Sequence, residues 1–180
     1  MSIESFELLD RREVDSNKVF RYCKDRLRLP DGHEVEYATL LHKGAAAIVP
    51  VLPDGRILLV KQYRHAIGRV ALEIPAGGRD SEEEPFIEAA ARELREETGY
   101  KSDRLTHLIT LVTAIAYCNE VIEVYVAEDL KPSRQDLDPD EFIDVFPYSL
   151  QELTDKIYAG ELQDAKTIAA VMAYKNLQKT

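Results

Sequence analysis

Three glutamates, Glu93, Glu96 and Glu97, stand at spacings of three and four in the run Arg92-Glu93-Leu94-Arg95-Glu96-Glu97-Thr98-Gly99. On a helix turning about 100° per residue they share one face. Like charges at these spacings destabilise an isolated helix by roughly 0.3 kcal/mol per pair unless a cation compensates. Clustered hard carboxylate oxygens suit Mg²⁺, with Mn²⁺ as an alternative. A divalent ion held there could neutralise a phosphate and acidify a bound water. On the remaining surface Glu84, Glu88, Arg92 and Arg95 mix signs, with Glu88 at ordinary pair spacing from Arg92 and one turn further from Arg95.

The elements that must hold these acids are legible around them. Ile87, Ala90, Ala91 and Leu94 recur at helical spacing and predict a buried stripe beside the acidic face. Gly77-Gly78 predicts a tight loop entering the helix, and Thr98-Gly99 a C-cap leaving it. Upstream, 19–29 and 33–41 flank the turn signal Pro30-Asp31-Gly32 and predict a hairpin. Apolar 45–52, Pro53-Asp54-Gly55 and 56–63, with Ile57-Leu58-Leu59-Val60, predict a second hairpin. Segments 105–112 and 121–127 predict strands, and 150–158 and 165–177 predict helices. No repeat, low-complexity linker or composition break divides the 180 residues, so one domain of mixed sheet and helices is expected.

Gly78, then five intervening residues, Glu84, then seven more, and the run Arg92–Tyr100 match the signature of the Nudix hydrolases at every defined position. The resemblance implies an α/β fold, an α/β/α sandwich with a mixed sheet, and hydrolysis of a nucleoside diphosphate linked to another moiety. By position it implies a divalent-metal face of Glu93, Glu96 and Glu97, with Glu96 also counted as catalytic and the Gly77 carbonyl as a further ligand. Gly78, Glu84 and Arg92 would orient the helix against its loop.

Residues outside this motif resemble the ADP-ribose pyrophosphatase and nucleotide-sugar branch. Lys61-Gln62-Tyr63-Arg64 and Leu72-Glu73-Ile74-Pro75-Ala76-Gly77 are similar to that branch, which implies that Arg64 contacts the substrate diphosphate, with Glu73 and Glu120 also binding substrate. The N-terminal strands within 1–43, ahead of a core over 44–180, are similar to strands that exchange between subunits, implying a homodimer. One departure is Ala114-Ile115-Ala116, where ADP-ribose enzymes usually carry Ser-Pro-Gly. It weighs against ADP-ribose itself more than against nucleotide sugars, because Asn119-Glu120 still fits. Tyr117 is expected as a strand tyrosine in the core, rather than as the tyrosine that dinucleoside polyphosphate hydrolases place nearby. The general base of this branch comes from a downstream acidic loop, and Asp136–Phe142 is the one before the final strand and helices. Glu141 is the first choice of base and Asp140 the second.

Competing readings are a hydrolase of GDP-mannose or another nucleoside diphosphate derivative, a house-cleaning hydrolase of nucleoside triphosphates, and a non-catalytic nucleotide-sugar sensor. The N-terminal hairpin argues against the second, and the intact acids against the third. A net charge of −10, from 33 acidic and 23 basic residues, argues against a nucleic-acid surface. It leaves room for a phosphorylated small molecule in a cleft whose field a metal and a few arginines reverse. The longest weakly polar run, 44–52, is broken by Pro50 and is too short to cross a bilayer. With no basic-then-apolar opening, the expected location is the cytoplasm. Cys23 and Cys118 lack metal-ligand or disulfide-framework spacing and are expected as reduced, packed thiols.

Overall fold

A computed structural model describes residues 5–178, which divide into two compact units. The first runs to Gly44 and includes Val112–Val121. Strands β1 (Glu7–Ser16), β2 (Phe20–Arg28) and β3 (Glu34–His42) form its antiparallel sheet, in the order β1-β2-β3. β2 and β3 are the expected hairpin. Gly32, at φ 90°, donates to Leu29 O, a left-handed geometry that suits glycine. β1 escaped the sequence reading because almost every residue in it is exposed, so no apolar alternation marks it.

This sheet buries one carboxylate. Asp25, 4% exposed, accepts from Arg11 Nε and Nη2, both at 2.7 Å, and from Thr39 Oγ1 at 2.9 Å. The segment Val112–Val121 docks on β3. Leu40 N donates to Tyr117 O at 2.7 Å, and His42 N donates to Asn119 Oδ1 at 2.6 Å. Tyr117 does not pack in a core strand as expected. The amides of Tyr117 and Cys118 both donate to Ala114 O, curling the chain into a turn that leaves the tyrosine exposed.

The second unit holds β4 (Ala45–Pro50), β5 (Ile57–Arg64), a 3-10 turn (His65–Ile67), β6 (Arg69–Glu73), β7 (Ala76–Gly78), α1 (Phe86–Thr98), β8 (Tyr100–Lys101), β9 (Arg104–Val112), β10 (Val121–Glu128), β11 (Lys131–Pro132), β12 (Ile143–Tyr148), α2 (Leu150–Tyr158) and α3 (Ala165–Leu177). The sheets run β7-β4-β10-β9, β12-β5-β6 and β11-β8. The β4–β10 pair is parallel and the other described pairings of this unit are antiparallel, giving the mixed sheet.

The second hairpin is corrected by this topology. The turn exists, with Gly55 N donating to Leu52 O and Leu52 N to Arg56 O, but only one bridge, Val51↔Ile57, joins the flanking strands. β4 pairs with β7 and β10, while β5 pairs with β6 and β12. Both strands read as unbroken apolar runs because both are buried, and two such runs can occupy separate sheets.

β4 lies between two cores. Ala45, Ala47 and Val49 pack with Ile57, Leu59, Val124, Leu153, Val171 and Tyr174, reaching α2 and α3. Ala46 and Ile48, on the opposite face, pack with Ala89, Ala90 and Leu94 of α1. Helices therefore cover both sides, the layering expected of an α/β/α sandwich. Among the described residues no helix is long and apolar enough to cross a membrane.

Candidate active site

Helix α1 meets its sheet with a stripe that differs from the expected one. Ile87 is exposed, and the buried positions are Ala89, Ala90, Glu93, Leu94, Glu97 and Thr98. These follow one another at helical spacing, so two acids sit within the buried face rather than beside it. Glu93 is 8% and Glu97 3% exposed, while Glu96 is half-buried at the rim. Gly99, at φ 71°, closes the helix by donating to Arg95 O, as expected.

Gly77-Gly78 does not form the predicted loop. The glycines belong to the short strand β7, where Gly77 pairs with Ala46 and Gly78 with Ala45. A Cβ at Gly77 would collide with the Glu93 carboxylate, so a side chain there would push that carboxylate out of its place. Arg92 ties the layers together. Its Nη2 donates to Gly78 O at 2.8 Å, its Nε to Glu84 Oε1 at 3.2 Å, and its Nη1 bridges Glu93 Oε1 at 2.6 Å and Glu96 Oε2 at 3.2 Å. Glu84 Oε2 accepts from Asp80 N at 2.6 Å. Burial pulls Glu84 upward, but Arg92 and the Asp80 amide outweigh it and hold the carboxyl below its ordinary value.

The deeper acids behave oppositely. Burial pushes Glu93 up to about 7 against the pull of Arg92, and the charges of Glu96 and Glu141 add to the rise. Burial pushes Glu97 up to about 8, reinforced by Glu93 and Glu141 and opposed by the Ala76 amide and Arg64. The Ala76 N–H donates to Glu97 Oε2 at 3.1 Å. The site thus concentrates more negative charge than its own cations neutralise.

The acidic loop is stitched to the end of this helix. Gln135 Nε2 donates to Glu97 O at 2.7 Å, Asp136 N to Glu96 O at 3.0 Å, Ser133 N to Gly99 O at 2.7 Å, and Arg95 Nη1 reaches Asp136 Oδ2 at 3.1 Å. Carbonyls left open by the last helical turn are satisfied by the loop. Glu141 then closes a local turn, its Oε2 accepting from Asp138 N at 3.2 Å, and its charge reaches both Glu93 and Glu97. Asp140 is exposed.

Arg64, at the end of β5, spans Glu73 with Nε at 2.7 Å and Nη2 at 2.9 Å. Glu120 belongs to the other unit, accepting from Thr113 Oγ1 at 2.7 Å with His42 Nε2 at 3.7 Å. Sequence reasoning missed Gln135, which fastens the loop, and Lys166, which also donates to Glu73. Both contacts span dozens of residues and carry no local signal.

A NUDIX domain model matches residues 41–171. The chain belongs to the Nudix family. Similar proteins include the ADP-ribose pyrophosphatase of Bacillus subtilis (strain 168), 34% identical over 163 residues, covering 89% of this chain and 88% of that protein. The ADP-ribose pyrophosphatase of Mycobacterium tuberculosis (strain ATCC 25618 / H37Rv) is 33% identical over 177 residues, covering 96% and 84%. The methanol dehydrogenase activator of Bacillus methanolicus is 34% identical over 169 residues, covering 93% and 90%. A crystal structure of an ADP compounds hydrolase superposes with a TM-score of 0.86 at 24% identity, covering 99% of this chain and 97% of that one, and shows the fold. This Nudix protein is a hydrolase, similar to pyrophosphatases that act on nucleoside diphosphate compounds.

Nudix hydrolases in general use divalent metal ions. Among the described residues no three acidic, histidine or cysteine groups are drawn together at metal-ligand spacing, and Arg92 Nη1 bridges Glu93 and Glu96. The donor set nevertheless fits a hard cation. Burial raises two carboxyls to about 7 and about 8 and so favours their protonated forms near neutral pH, and a divalent ion would favour the charged forms instead.

Proposed function

We propose that this Nudix hydrolase cleaves the diphosphate linkage of ADP-ribose or a related nucleotide sugar in a metal-dependent reaction, giving a nucleoside monophosphate and a sugar phosphate. The observation that carries the reading is the pair of buried, under-neutralised acids, Glu93 against Gly77 and Glu97 bonded by the Ala76 amide. The names of the similar pyrophosphatases from B. subtilis and M. tuberculosis support the substrate class. With ADP-ribose the products are AMP and ribose 5-phosphate.

Glu93, Glu96 and Glu97, with the Gly77 carbonyl, would hold Mg²⁺ or Mn²⁺, and Arg92, Glu84 and Gly78 keep helix and strand in register. When bound, the ion neutralises the diphosphate and makes a water more acidic. Glu141 takes the proton from the attacking water, being the loop acid whose charge reaches the Glu93–Glu97 pair, with Asp140 as the second candidate. Arg64 binds the diphosphate, and Glu73 and Glu120 complete substrate recognition. The protein works as a homodimer through its N-terminal strands, whose exposed Phe6, Leu8, Val14 and Tyr37 offer apolar surface for a second copy. Free Cys23 and Cys118 suit the reducing cytoplasm.

The test is a panel of ADP-ribose, GDP-mannose, UDP-glucose, diadenosine polyphosphates and nucleoside triphosphates with Mg²⁺, products being separated by chromatography. Preferred release of AMP from ADP-ribose, abolished by EDTA, is the expected result. Preference for another nucleotide sugar would make Ala114-Ile115-Ala116 the specificity signal. Metal binding with no turnover of any compound would favour a sensor.

A further inference from the structure

The reading above leaves one half-buried cation without a role. Lys166, in the first turn of α3, has a side chain only 14% exposed. Its Nζ donates to Glu73 Oε2 and, at 3.0 Å, to Asp164 Oδ2. Asp164 also caps α3 by accepting from Thr167 N at 3.0 Å, and Thr167 Oγ1 accepts from Ile74 N at 2.8 Å, beside Glu73 in sequence. The lysine is therefore fixed at both ends of its reach.

Glu73 is thus a buried carboxylate shared by two cations. Arg64 spends Nε and Nη2 on it, and Arg64 Nη1 has no hydrogen-bond partner among the described residues. The Arg64 side chain is 41% exposed, so that free edge can meet a solute. Its charge is also felt by Glu97, which places the guanidinium within electrostatic reach of the acidic face.

We propose that Lys166 is a positioning residue for diphosphate recognition: by sharing and anchoring Glu73, it keeps Arg64 oriented and leaves its charge available to an anion. The inference rests on the reading that Arg64 binds the diphosphate. With Lys166 present, Arg64, Lys166, Glu73 and Asp164 sum to zero. Without it the group is net negative, Glu73 alone cancels Arg64, and an incoming polyanion meets repulsion. Nothing in this role requires Lys166 to touch the substrate.

Binding of inorganic pyrophosphate, measured by calorimetry, tests this independently of turnover. Lys166→Met is expected to weaken binding about tenfold, Lys166→Arg to restore it to within about twofold, and Arg64→Ala/Lys166→Met to bind no more weakly than Arg64→Ala alone. With ADP-ribose, Lys166→Met is expected to raise KM by a similar factor while kcat stays within about twofold. Lys166→Gln repeats the test if Lys166→Met fails to fold. Unchanged pyrophosphate affinity, no rescue by arginine, additive losses in the double variant, or a wild type that binds no pyrophosphate would each overturn the proposal. A wild type that binds pyrophosphate yet hydrolyses no ADP-ribose would contradict the substrate assignment alone, and the pyrophosphate series would still decide the role of Lys166.

Discussion

Asp25 in the N-terminal sheet and the Glu93–Glu97 pair in α1 are all shielded from solvent, Asp25 within a thin three-stranded sheet and the pair at greater depth, and they are treated in opposite ways. Asp25 receives the whole fork of Arg11 and the Thr39 hydroxyl, and these bonds, Arg11 first, hold it below its ordinary value against the effect of burial. Glu93 and Glu97 have part of Arg92 and one backbone amide, and burial wins. Burying an uncompensated carboxylate costs several kcal/mol, about what a well-made buried pair recovers. A matched acid is consistent with architecture alone. An unmatched pair, one member of which lies against Gly77, is what the proposed metal face calls for.

The largest expected effect comes from removing one of the unmatched acids. Glu97→Gln should lower hydrolysis at saturating Mg²⁺ by about a thousandfold or more, with the fold kept. A rate near wild type would remove Glu97 from the metal face. Next is Glu141→Gln, expected to reduce kcat by about a hundredfold and flatten the rising limb of the pH–rate profile, while Mg²⁺ affinity measured by calorimetry is retained. An unchanged profile would pass the base role to Asp140 or another group. On the matched side, Arg11→Met should destabilise the protein by about 1 kcal/mol in urea unfolding, the pair being partly open to solvent, and leave the kcat of the folded fraction unchanged. Loss of stability under about 0.5 kcal/mol would show that Asp25 is less dependent on its partner than its geometry implies.

The same contrast explains what the sequence could reveal. Spacings of three and four placed Glu93, Glu96 and Glu97 on one helical face, and Gly99 announced the end of that helix. That two of these acids are buried was not legible, because patterning by hydrophobicity assigns every glutamate to the outside; the true stripe contains Ala89 and excludes Ile87. Local turns at Gly32 and Gly55 were readable, but the partners of β4 and β5 were not. Pairing is decided by which sheets pack together, and a buried apolar run looks the same in either. β1 carried no buried face to betray it. The Lys166–Glu73 contact bridges 93 positions, and only the folded chain brings those residues together.

The central claim, that Glu93 and Glu97 belong to a divalent-cation site, is tested most directly by urea unfolding between about pH 6 and about pH 9, in EDTA and in saturating Mg²⁺. Carboxyls raised to about 7 and about 8 favour the folded state below their unfolded values, and that stability is lost as pH rises through the raised ones. Lowered carboxyls such as Asp25 lose their contribution only in acid, outside this window. The exposed His33–Asp31 pair raises His33 and slopes in the same direction, so Glu97→Gln, which retains it, is the control. The account predicts that the metal-free protein loses on the order of 2 kcal/mol across the window, that Mg²⁺ abolishes most of the loss, and that Glu97→Gln shrinks it. Stability that is flat or rises with pH in EDTA, or a slope that Mg²⁺ leaves untouched, would contradict it.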